Sequence, residues 1–141
     1  MKVSDILQKK GSNVYSVAAS VTVYEALKAM GEKNIGALLI MENEQLLGIF
    51  SERDYARKII LKGKNSHETL VKEIMTENVI SVLPSDNIEK CMELMSGKKI
   101  RHLPVMENGK VSGVISITDV VTAIIASQKE TINLLHDYIS Q

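Results

Sequence analysis

The chain has few of the residues that carry covalent and metal chemistry. Its single cysteine, Cys91, has no partner for an internal disulfide, and no CxxC pair exists. It falls on the apolar face of a helical pattern and reads as a small buried hydrophobe. The three histidines, His67, His102 and His136, have no paired ligand at metal-binding spacing. No GxSxG nucleophile motif is present. No catalytic residue and no metal ligand is therefore expected, and the chain does not read as an enzyme. Neither sign of charge is in excess: Lys+Arg and Asp+Glu both number 17. That excludes a general nucleic-acid surface, which needs a clustered positive excess, but not a local cluster for a small anion. No run approaches the roughly 18 apolar residues of a membrane span. The opening "MKVSDILQKKG" is charged and amphipathic and lacks the apolar run of a signal peptide. The expectation is a soluble cytoplasmic protein with no nucleic-acid or membrane partner.

What the chain does have is a repeat. Residues 17–60 align with residues 82–125 at a constant shift of 65, and 14 of the 44 pairs are identical. Ser51 and Asp54 fall on Ser116 and Asp119, Gly48 on Gly113, and Asn43 on Asn108. "VSDIL" at 3–7 and "VKEIM" at 71–75 are matching entry segments. Internal repetition at this scale marks one supersecondary unit used twice.

Each copy reads alike. A short β-branched strand, "VYSV" or "VISV", precedes an N-cap at Ser20 or Ser85. A helix follows with Val23, Ala26, Leu27 and Met30, or Ile88, Cys91, Met92 and Met95, along one face. Two strands joined by "ENEQ" or "ENGK" come next, and Asn108-Gly109 is a tight-hairpin signal. A second helix, residues 52–62 or 117–127, closes the unit. The order is β-α-β-β-α. One unit is too small to bury its own faces, so two packed around a pseudo-twofold axis are expected, in an α+β fold. The repeats span residues 1–65 and 66–127. A helical tail, residues 128–141, sets Ile132, Leu135 and Ile139 on one face, to pack on the domain or on a second chain.

"GIFSERD" and "GVISITD" place Ser-x-x-Asp where a strand meets a helix. One reading is a capping box, with Ser51 or Ser116 as N-cap and the Asp at N3. The other is a ligand clamp, since an ionised carboxylate accepts from both hydroxyls of a ribose diol. The residues alone leave both open.

The β-α-β-β-α order, the stretch "RHLPVMENGKVSGVISITDV" and the paired "GIFSERD" and "GVISITD" resemble a tandem pair of CBS domains, the Bateman module, over roughly residues 1–127. The chain is most similar to small standalone CBS-pair proteins. The resemblance implies a regulatory or sensory module that binds adenosine-containing ligands (AMP, ADP, ATP, NAD(H) or S-adenosylmethionine) in two clefts between the repeats. It implies a homodimer and, with no attached effector domain in view, an effector protein as partner. By the same resemblance Asp54 and Asp119 take ribose hydroxyls, with Ser51 and Ser116 capping and assisting. Val17 and Ala18 in one cleft, and Ile80 and Val82 in the other, flank the adenine or else belong to the core. Family geometry groups Arg53, Arg101 and His102 around Asp54, and Gly36, Ala37, Thr118 and Ser116 around Asp119. Two unequal sites follow, with the Asp54 cleft better suited to a phosphate. The competing reading is an interaction or dimerisation module whose nucleotide clefts are unused.

Overall fold

A computed structural model describes residues 1–140. The elements run α1 (Val3–Lys10), β1 (Ser16–Val17), α2 (Val23–Lys33), β2 (Ala37–Glu42), β3 (Gln45–Ser51), α3 (Glu52–Asp54), a π-helical segment (Tyr55–Ile60), α4 (Val71–Ile74), α5 (Ile88–Lys98), β4 (His102–Glu107), β5 (Lys110–Ser116) and α6 (Ile117–Ser140). The α+β class and the twofold repetition are as the sequence implies.

The chain divides into two compact units, and they are not the two repeats in sequence order. One unit is residues 14–79. The other joins residues 1–13 to the chain from residue 80 onward. Each entry segment thus packs with the repeat it does not directly precede, so the packing boundary differs from the sequence boundary at residue 65. In the second unit Val3 and Ile6 join the core of Val82, Ile88, Cys91, Leu103, Val105 and Ile115. Val3 N–H donates to the Asp86 carbonyl (2.9 Å) and Ser4 N–H to that of Pro84 (3.0 Å). In the first unit Val71 and Ile74 take the matching places beside Val23, Ala26, Met30 and Phe50.

The hairpins β2–β3 and β4–β5 are antiparallel, and both shift register at matching points, Ile40/Met41 and Val105/Met106. In the first unit β1 adds a parallel strand on β2. In the second unit the expected strand "VISV" shrinks to one parallel bridge, Val82 to Val105. The cause is one side chain. Leu39 N–H donates to the Tyr15 carbonyl (3.3 Å), whereas its repeat partner Pro104 has no N–H to give.

Three further expectations are corrected. The N-caps of α2 and α5 are Thr22 and Asn87, not Ser20 and Ser85. Thr22 and Glu25 close a reciprocal capping box, which satisfies two helix amides at once. The helix expected at 52–62 is three α residues followed by the wider Tyr55–Ile60 segment, where Leu61 N–H reaches back to the Ala56 carbonyl (3.0 Å). The tail expected as a separate element continues α6 without a break to Ser140. No helix among the described residues is long and apolar enough to cross a membrane.

Candidate functional site

Each Ser-x-x-Asp motif sits at the end of the last strand of its hairpin and the start of a helix. Ser51 N–H donates to Asp54 Oδ2 (2.9 Å), Ser51 Oγ–H donates to the same oxygen (3.1 Å), and Asp54 N–H donates to Ser51 Oγ (3.2 Å). In the second unit Ser116 N–H donates to Asp119 Oδ2 (2.8 Å), and Asp119 N–H donates to Ser116 Oγ (3.2 Å). Both carboxylates therefore close capping boxes, and Asp suffices where Glu is usual. A carboxylate has about four lone-pair positions, so capping does not exhaust it. Both remain partly open, with Asp54 18% and Asp119 21% exposed at the side chain.

Each aspartate also holds a lysine, and the two lysines come from different places. Lys58, one turn along its own helix, stands 3.3 Å from Asp54 Oδ1. Its ammonium also donates to the Ile74 carbonyl (2.8 Å) and to Thr76 Oγ1 (3.5 Å). Lys10, the last residue of α1 and 109 positions away in sequence, donates to Asp119 Oδ2 at 2.5 Å. Burial pushes the Asp119 carboxyl up, but the Lys10 ammonium and the Ser116 donors outweigh it and hold the group below the ordinary carboxylate range. Sequence reasoning missed both lysines. Lys58 had a readable signal, since it lies four residues after Asp54 on a helix. Lys10 had none, because its approach depends on α1 packing in the second unit.

The backbone brings further candidates to the same helix starts. Ala37 pairs with Ser51, and the Gly36 carbonyl accepts from Glu52 N–H (3.1 Å). In the same way His102 pairs with Ser116, and the Arg101 carbonyl accepts from Ile117 N–H (2.8 Å). Within its own unit, then, each pair lies beside its own aspartate's helix. Arg53 is half-buried, while Thr118 and Arg101 are exposed. Val17, Ala18 and Ile80 are half-buried. Val82 is core: its side chain is buried, and its N–H and carbonyl are spent on Pro104 and Met106. That leaves it little to offer a base. Cys91 is buried, which pushes its thiol up to about 11 and keeps it protonated and inert.

The sequence profile of the CBS domain matches twice, at residues 3–61 and 71–126. The mitochondrial CBS domain-containing protein CBSX3 of Arabidopsis thaliana is 38% identical over 146 residues, covering 97% of this chain and 71% of that protein. The chain spans a much smaller share of other curated relatives, such as 20% of CBSCBSPB1 of the same plant. A putative signal-transduction protein with CBS domains from Burkholderia ambifaria MC40-6 is 46% identical, with a TM-score of 0.87 and coverage of 91% of this chain and 96% of that one. The CBS domain protein PAE2072 of Pyrobaculum aerophilum, solved in complex with AMP, shares the fold at 24% identity, with a TM-score of 0.75 and coverage of 84% and 89%. Two profile matches, a 38% identical relative and the repeated β-α-β-β-α hairpin units agree, and the chain belongs to the CBS-domain family as a tandem pair.

Proposed function

We propose that the protein is a regulatory module that binds adenosine-containing ligands and passes their level to a partner protein, without catalysing a reaction. The observation that carries this reading is the twice-built Ser-x-x-Asp junction. Each repeat presents a half-buried carboxylate, already oriented by its cap, with acceptor capacity left for a ribose diol. AMP in the Pyrobaculum aerophilum protein names the ligand class to try first. NAD(H), ADP, ATP and S-adenosylmethionine complete the panel.

The two sites are unequal in this proposal. The pairing of His102 with Ser116, together with Lys10, supports a basic neighbourhood for Asp119. The family resemblance instead groups Arg101 and His102 with Asp54, and the ligand series below compares the two assignments. Lys58 serves Asp54, and the family resemblance adds Arg53 to it. Cytoplasmic location and a homodimer belong to the same proposal.

A ligand that binds only the folded state raises its unfolding midpoint by mass action. The test is a thermal melt against AMP, ADP, ATP, NAD, NADH and S-adenosylmethionine. At least one should shift the midpoint of the wild type and not of an Asp54→Asn/Asp119→Asn variant. No shift with any of them at millimolar concentration would remove the sensory reading. The alternative, a dimerisation module with unused clefts, would then stand on the exposed apolar face of α6.

A further inference from the structure

We propose that Lys10 is a specificity-determining residue of the Asp119 site. In the ligand-free protein it occupies Asp119, and it passes to the phosphate of a ligand whose ribose takes its place. The inference rests on the reading that Asp119 receives a ribose, and adds which ligands that site prefers and why.

The contrast between the two lysines carries the argument. Lys58 is held by three acceptors, Asp54, Ile74 and Thr76, and any one can be lost without freeing it. For the Lys10 ammonium, Asp119 is the hydrogen-bond acceptor among the described residues. Lys10 ends α1, and Gly11 follows it with φ 95°, a turn that glycine adopts freely. Its side chain is 36% exposed. A pair this open to water adds little to folding, so opening it costs little. The ammonium is a compact charge on a flexible four-carbon stem, suited to leaving one anion for another nearby.

The consequence is discrimination by charge. A neutral nucleoside must compete with Lys10 for the Asp119 carboxylate and offers the displaced ammonium nothing. A nucleotide brings a phosphate that accepts from that ammonium in a charge-assisted hydrogen bond. Lys10 therefore opposes adenosine and favours AMP at the same carboxylate.

Titration calorimetry with AMP and adenosine tests this in an Asp54→Asn background, where the Asp119 site alone reports. Lys10→Gln should weaken AMP by on the order of tenfold, as expected for one lost charge-assisted bond, while adenosine binds as well as before or better. Lys10→Arg should keep the preference for AMP. Should Asp54→Asn not fold, the same series in the wild-type background, fitted as two sites, gives the same comparison. If the parent binds neither compound, or Asp119→Asn leaves binding unchanged, the ribose reading fails and the inference falls with it. If Asp119→Asn abolishes binding but Lys10→Gln changes AMP and adenosine by the same factor, or changes neither, the ribose reading survives and the role of Lys10 is overturned.

Discussion

Leu7 fills the space that a side chain at Gly113 would need: a Cβ there would stand 2.7 Å from Leu7 Cδ2. Met75 does the same to Gly48 in the other unit, with Sδ 2.6 Å from the would-be Cβ. Leu7 and Met75 are equivalent positions of the two entry segments, so both glycines meet the same packing restriction. The two sites differ in what else is close. At Gly113 the obstacle is the flexible end of a leucine. At Gly48 the Thr76 carbonyl oxygen also lies 2.9 Å away, and backbone cannot step aside. Gly48→Ala should cost about 3 kcal/mol and Gly113→Ala about 1 kcal/mol, within the usual range for overpacking. In urea denaturation, Leu7→Ala with Gly113→Ala should lose less than the sum of the two single changes. Equal losses at the two glycines would contradict this account.

The hairpin turns form a second matched pair. Asn108 and Gly109 take φ 53° and 76°, and Asn43 and Glu44 take 50° and 66°. Glu44 is thus an L-residue in the left-handed region at the position where the other repeat uses glycine. That conformation costs roughly 1 kcal/mol or more, partly offset by the extra unfolded-state entropy that glycine brings. Glu44→Gly should stabilise the protein by about 0.5 kcal/mol, and Gly109→Glu should destabilise it by at least as much. A Glu44→Gly variant that melts earlier than wild type would show that the contacts of the Glu44 side chain outweigh the backbone strain.

These pairs show what the sequence could and could not reveal. The helix faces and the Asn-Gly hairpin were legible because they depend on local spacing and local φ. The loss of the strand before α5 was legible in principle, as Pro104 replaces Leu39 and removes a donor. The exchange of the entry helices was not. Val3 and Val71 are equally apolar, and nothing in their neighbours states which core each will enter. At the site the capping boxes could be read from Ser-x-x-Asp. Lys10 could not be assigned to Asp119, because that contact exists only once α1 has crossed to the second unit.

The Lys10–Asp119 pair also predicts an acid dependence. The folded-state value of Asp119 lies below its ordinary 3.8, so the ionised form is favoured by folding. The stability it contributes is fully present above the unfolded value and is lost as pH falls through the folded one. Because the pair is partly exposed, its contribution is discounted to about 0.5 kcal/mol and weakens with salt. Lys10→Gln should therefore melt about 2 °C below wild type at neutral pH, with the gap closing below roughly pH 4. A gap that persists unchanged at pH 2.5 would mean that Lys10 acts through packing of its stem rather than through its charge.

The exposed face of α6 predicts self-association. Ile132, Leu135 and Ile139 leave their own unit uncovered, at 63%, 57% and 81% exposed, and Val121 and Ile125 continue the same stripe toward the helix start. The spacing has a symmetry: 121 and 139, 125 and 135, and 128 and 132 are each placed evenly about residue 130. An antiparallel second copy would set Val121 against Ile139, Ile125 against Leu135, and Gln128 against Ile132. The stripe is about 27 Å long at the helical rise, and an exposed apolar face of that extent is uncommon in a monomer. Light scattering at micromolar concentration should give the mass of a dimer. Ile132→Glu with Leu135→Glu should give a monomer whose hairpin units still unfold cooperatively, since neither side chain contributes to a core. A wild-type monomer at that concentration would refute the dimer. A dimer untouched by the double change would assign the interface to another surface.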